Sequence, residues 1–180
     1  NIVRGADHVT NTATQIQIMQ AMGGTPPDFA HHSLLTGPKG EELSKRLGVL
    51  ALRDLRDSGI QPMALLSLMA RLGSSKPVEL AQSMQDLIDG FDIGAFGSAP
   101  TKFDAEDLFP LTRAHVQSLP LPAVADKIAA LGVPEAEAEA FWRVAKDNIT
   151  VLADLGQWWE LFQNGAEPLV DPEDAEFITQ

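Results

Sequence analysis

From residue 49 onward, apolar residues recur at three- and four-residue intervals inside stretches bounded by glycine or proline. That pattern commits this part of the chain to a succession of short helices. Leu50, Leu52 and Leu55 lead to a stop at Ser58-Gly59. Pro62 then stands at a first helical position, where its missing N–H costs nothing, and Leu65, Leu66, Met69 and Leu72 predict the buried face of a helix ending before Gly73. The next helix is expected to follow Pro77, with Leu80, Met84, Leu87 and Ile88 on one face and Gly90 at its end. Val124, Ile128 and Leu131 mark a helix over 121–131 that stops at Gly132. Pro134 opens another, and Glu135, Glu137 and Glu139 lie in or near its first turn, where the helix dipole favours anions. Leu152, Leu155, Trp158, Leu161 and Phe162 form the last amphipathic face, with Trp158 expected in the core; Trp158-Trp159 as a base-stacking platform is the alternative.

The first 48 residues read differently. Ile2 to His8 predicts a short buried strand ending in a polar turn. A helix over about 11–22 should follow, with Thr10, Asn11 and Thr12 offering cap side chains and Ile16, Met19 and Met22 on one face. Gly23-Gly24 ends it, Thr25-Pro26-Pro27-Asp28 is a rigid connector, and Phe29 to Leu35 predicts a strand or extended segment. That segment delivers Gly37-Pro38-Lys39-Gly40-Glu41-Glu42-Leu43-Ser44-Lys45-Arg46-Leu47-Gly48, whose opening glycines and proline exclude regular structure. Ser44, Lys45 and Arg46 place one hydroxyl and two cations side by side, a combination suited to a polyphosphate: Lys45 as a point charge, Arg46 as a fork onto two oxygens. Taken alone, the triplet is a weak signal and reads more readily as a solvated surface turn.

Three segments in this order resemble the second half of the catalytic domain of a bacterial glutamyl-tRNA synthetase, a class I aminoacyl-tRNA synthetase. They are Ile2-Val3-Arg4-Gly5-Ala6-Asp7-His8, Phe29-Ala30-His31-His32-Ser33-Leu34-Leu35, and Leu43-Ser44-Lys45-Arg46 as a form of the second class signature. Ser98-Ala99-Pro100-Thr101-Lys102-Phe103-Asp104 is similar to a further family segment and extends the resemblance to about residue 118. The helices beyond it resemble the start of the family's anticodon-binding region. The resemblance implies a mainly α chain: a short βα remnant of a class I, Rossmann-like catalytic domain over 1–48, a helical stem-contact domain over 49–118, and the start of a helical anticodon-binding domain over 119–180.

It further implies activation of glutamate by ATP to glutamyl-adenylate, with Mg2+, and transfer of the acyl group to the 3′ end of tRNA(Glu). Lys45 would be the catalytic cation over the departing pyrophosphate, with Ser44, Arg46, Asp7 and His8 on the ATP and Arg4 on the glutamate carboxylate. Arg53 and Arg56 are the candidate tRNA contacts, although a solvated helix face explains them as well. Read without the resemblance, Arg4 and Asp7 form an ion pair tying strand to helix, and His8, His31 and His32 are packed or surface residues rather than metal ligands; no zinc is expected.

The sequence departs from the family at several points. Glu42 replaces the first lysine of the loop signature, Leu47 stands where many relatives have histidine, Ser33 replaces a proline, Ser98 replaces a cation, and Leu111-Thr112 stands for Leu-Asn. The four histidines, 8, 31, 32 and 115, make no His-x-Gly-His, the first class signature. The expectation is therefore a piece of the synthetase that is inactive by itself. The alternatives are a non-catalytic helical tRNA-docking module or a glutaminyl-type relative.

Composition constrains the remaining classes. With no cysteine among 180 residues, disulfides and thiolate metal sites are excluded, in keeping with a reducing cytoplasm. No apolar run reaches the length of a membrane span. Residues 1–60 carry six Lys/Arg against six Asp/Glu, so the net charge of −12 resides entirely in the remainder. An RNA partner would have to be met by local cations rather than by a basic surface. A monomer is expected.

Overall fold

The computed structural model describes residues 1–41, 43 and 51–165. Glu42, Ser44, Lys45, Arg46 and Leu47 lie outside the described residues. The contacts group into two compact units, Asn1–His115 and Val116–Gln180.

The first unit opens with a βαβ arrangement. Strand β1 (Ile2–Gly5) runs through a 3-10 turn, Ala6–His8, into helix α1 (Val9–Ala21), and the chain returns as β2 (Phe29–His32). β1 and β2 are parallel in the register Ile2 to Phe29, Val3 to Ala30, Arg4 to His31 and Gly5 to His32. A second parallel pair joins β3 (Leu35–Thr36) to β4 (Thr101–Lys102), tying the segment before the loop to a stretch more than sixty residues away. The Thr101 N–H donates to the Leu34 carbonyl at 3.1 Å and the Phe103 N–H to the Thr36 carbonyl at 2.8 Å. Gly73, at φ +82°, passes so close to this pair that a Cβ would lie 2.6 Å from Thr101 Oγ1. Only glycine combines that left-handed backbone with so close an approach.

Helices α2 (Leu52–Asp57), α3 (Pro62–Met69), α4 (Met84–Asp89) and α5 (Leu108–Ser118) complete the order. Leu55, Ile60, Leu68, Phe103 and Leu108 form the core, with Leu35, Leu65, Leu72 and Leu111 packed against it. Pro62 occupies the first turn of α3 as expected. Thr112 is completely buried, and its hydroxyl accepts the Gln61 N–H at 3.3 Å, serving one of the free donors at the start of α3.

Four expectations about this unit are corrected. β1 is not buried, since Val3 is 57 % exposed and, among the described residues, only β2 pairs with it. α1 starts two residues earlier than predicted and carries no side-chain cap; Thr12 is buried within it and its hydroxyl turns back to the His8 carbonyl at 3.0 Å. The buried face of α3 is Ala64, Ser67 and Leu68, whereas Leu66 and Met69 are exposed. That helix is apolar nearly all round, so periodicity could not choose a face; the choice is made where Ser67 Oγ accepts the Ala81 N–H at 3.0 Å. The same bond holds Ala81 outside a helix, and α4 begins only after Ser83, whose hydroxyl accepts the Asp86 N–H at 3.2 Å. Of its predicted apolar face only Leu87 is buried.

The second unit is entirely helical among its described residues. Helices α6 (Leu121–Ala130), α7 (Glu135–Ala145) and α8 (Leu155–Asn164) stand close to their predicted bounds, with Gly132 at φ +79° between α6 and α7. Val116, Val124, Ile128, Val133, Phe141, Trp142, Ala145, Ile149, Leu155 and Trp159 make one core. The Asp154 carboxylate receives the Thr150 and Val151 N–H groups at 2.9 and 3.0 Å and so fixes the entry to α8. Of the adjacent pair, Trp159 rather than Trp158 is buried; Trp158 is half-buried, and Leu161 and Phe162 are exposed. Phe141 packs edge-on to Trp159 at 5.2 Å, and Phe162 stacks on Trp159 at 5.7 Å. These contacts turn α8 by one position relative to the pattern's face. Among the described residues, no helix of either unit is long and apolar enough to cross a membrane.

Candidate active site

Side chains alternate across a strand, so the pairing of Arg4 with His31 sets these two on one face of the β1–β2 pair. Helix α1 lies over that face and brings Thr12 between them. Arg4 Nη1 donates to Thr12 Oγ1 at 3.1 Å and to Gln15 Oε1 at 2.7 Å, while its Nη2 meets His8 Nδ1 at 3.1 Å. Thr12 Oγ1 also lies 3.0 Å from His31 Nε2. Because a guanidinium only donates, His8 Nδ1 must accept, and the neutral ring then carries its proton on Nε2, 3.7 Å from the Asp7 carboxylate.

The Arg4–Asp7 ion pair expected from the residues alone is not formed. Asp7 faces His8, and Arg4 turns instead to neutral acceptors on α1. The result is a half-buried cation without a carboxylate partner among the described residues. Such a group is receptive to an anion, since its charge is desolvated but not compensated. Arg4, Asp7 and His8 are thus brought together at the end of β1. Gly5 lies between them, and a Cβ there would come 2.5 Å from Asp7 Oδ1 and 3.1 Å from Leu34.

The predicted loop leaves β3 through a turn in which the Gly40 N–H reaches the Gly37 carbonyl at 2.9 Å and Gly40 adopts φ +85°. Glu41 folds back on that turn, its carboxylate accepting the Lys39 N–H at 3.0 Å. Arg53 and Arg56 are exposed on α2, and Arg56 pairs with the adjacent Asp57 at 3.3 Å. His31 and His32 are each engaged, His32 Nδ1 lying 2.8 Å from the Ser33 carbonyl. Among the described residues no cluster of three or more His, Asp or Glu could hold a metal. A cavity of about 480 Å³ opens on the first unit, lined by residues that include Val3, His32, Ser33, Phe91, Phe96 and Thr101.

Sequence reasoning missed the roles of Thr12, which it read as a cap residue, and of Gln15, which it did not single out. The available signal was their three-residue spacing, which sets both on the helical face turned toward the strand that carries the arginine.

The parallel βαβ unit and the helices after it agree with a class I synthetase architecture, and the sequence comparison shows the family. The family described as tRNA synthetases class I (E and Q), catalytic domain, matches residues 1–110, and the chain belongs to this family. It is 75 % identical to glutamate-tRNA ligase 1 of Cereibacter sphaeroides over 179 residues, covering 99 % of this chain and 41 % of that relative. It is 68 % identical over 180 residues to glutamate-tRNA ligase 1 of Paracoccus denitrificans, with 100 % and 41 % covered. The chain therefore spans about 41 % of the length of these relatives. Among solved structures, a glutamate tRNA ligase from Elizabethkingia meningosepticum in complex with its amino acid superposes with a TM-score of 0.79 at 23 % identity, covering 97 % of this chain and 40 % of that one. At that identity the likeness speaks for the fold.

Proposed function

We propose that this chain is part of a glutamate-tRNA ligase, which joins glutamate to ATP as glutamyl-adenylate with release of pyrophosphate and then passes the acyl group to the 3′ end of tRNA(Glu), releasing AMP. The observation that carries this reading is 75 % identity to a glutamate-tRNA ligase along nearly the whole chain. The same similarity favours glutamate over the glutaminyl alternative, and a ligase over a docking module without activity.

In this reading the uncompensated guanidinium of Arg4 receives the carboxylate of glutamate. Asp7 and His8, exposed and half-exposed beside it, face the nucleotide. Lys45, with Ser44 and Arg46, holds the phosphates as charge shifts toward the leaving pyrophosphate. A donor aimed at developing charge stabilises the transition state more than the ground state, which is what raises the rate. Mg2+ would arrive with the nucleotide's phosphates and balance their charge. The described residues provide no carboxylate cluster for it. Arg53 and Arg56, exposed on α2, are the proposed contacts to tRNA phosphates. The assignment of residues 1–48 to the catalytic domain, 49–118 to stem contact and 119–180 to anticodon binding belongs to the same proposal, as do a monomeric state and a cytoplasmic setting.

Lys45→Ala in the full-length ligase should slow glutamate-dependent ATP/pyrophosphate exchange by roughly 10² to 10³, the loss expected for one electrostatic donor. An unchanged exchange rate would remove Lys45 from this role.

A further inference from the structure

The hydrogen bonds around Thr12 allow one complete assignment. Its hydroxyl has one proton and two acceptor sites, and three partners surround it: the His8 carbonyl at 3.0 Å, Arg4 Nη1 at 3.1 Å and His31 Nε2 at 3.0 Å. The carbonyl can only accept and the guanidinium can only donate, so the Thr12 proton goes to His8 and His31 must donate from Nε2. Every site on the hydroxyl of a residue that is only 4 % exposed is then used.

Arg4 can be accounted for in the same way. Of the five donors on a guanidinium, both on Nη1 go to Thr12 and Gln15 and one on Nη2 goes to His8. What remains is the Nε–H and one Nη2–H. We propose that Thr12, supported by Gln15 and His31, is a positioning residue for substrate selection: it locks Arg4 so that only these two donors are offered to an incoming carboxylate. This deepens, and rests on, the assignment of glutamate to Arg4. A side-chain amide presents one acceptor and one donor, and its N–H groups meet the fixed guanidinium donors with no acceptor between them. The lock therefore favours a carboxylate over a carboxamide, because a partly buried donor left facing another donor loses its pairing and is not fully resolvated.

A tie that merely joined strand to helix would not use a cation against neutral acceptors. Two apolar side chains, or an arginine with a carboxylate, would do so without leaving a charge uncompensated. The arrangement stabilises a charge whose counter-ion has to come from outside.

The test is steady-state ATP/pyrophosphate exchange by the full-length ligase with Thr12→Val, Thr12→Ser, Gln15→Leu and Arg4→Ala. Thr12→Val should raise the KM for glutamate by about tenfold to a hundredfold and leave the KM for ATP within about twofold, while Thr12→Ser restores the glutamate KM. Gln15→Leu, at an exposed position with little bearing on folding, should give a smaller rise confined to glutamate. If Arg4→Ala raises the glutamate KM but neither Thr12→Val nor Gln15→Leu does, the positioning role is overturned and the carboxylate assignment stands. If both variants raise the KM values for glutamate and ATP alike, the network is only structural. An Arg4→Ala enzyme with an unchanged glutamate KM overturns the carboxylate assignment and this inference with it.

Discussion

Thr112 shows how one buried polar atom fixes the position of a helix. The sequence places a threonine where the family has asparagine, and the structure gives its hydroxyl a backbone donor, Gln61 N–H, fifty-one residues earlier in the chain. Thr112→Val conserves shape and leaves that N–H without its acceptor at a fully buried side chain. The expected cost is about 1 to 2 kcal/mol, read as a lower denaturant midpoint at unchanged slope. Thr12 follows the same logic, with Arg4 and His31 of the proposed site as its partners. Both threonines are short polar side chains whose burial no residue spacing signals. Only the partner brought up from elsewhere in the chain turns them into buried acceptors.

Among the elements, α8 illustrates the limit of periodicity. The three-residue spacing of Leu152, Leu155, Trp158 and Leu161 locates the helix, but its buried stripe contains Leu155 and Trp159. The displacement goes with Phe141 on α7, which meets Trp159 in a T-shaped contact at 5.2 Å within the core, while Trp158 packs only partly buried against that core. Trp159→Ala should destabilise the second unit by about 3 to 5 kcal/mol, as for other large-to-small core changes. Trp158→Ala should cost clearly less, and differential thermal unfolding of the two variants decides between the faces. The ends of elements were easier to foresee than their faces. Pro62 at the start of α3 and Gly132 after α6, at φ +79°, stand where proline and glycine chemistry put them; Gly90 follows α4 as expected, with an ordinary right-handed φ of −86°.

For the whole molecule, the acidic balance beyond residue 60 limits how a nucleic acid can be held. If tRNA is met by a few local cations such as Arg53 and Arg56, the binding constant should fall gently with salt. Replacing both with alanine should reduce the slope of log K against log salt by about 1 to 2, as expected for up to two lost phosphate contacts; an unchanged slope would place the contacts elsewhere. The succession of helices, the βα opening and the three signature segments were determined by the sequence alone, because they depend on residue spacing, on glycine and proline chemistry, and on local order along the chain. What only the tertiary structure decided is which side each helix turns inward and which neutral side chains surround Arg4, because both depend on partners dozens of residues away whose approach no local pattern encodes.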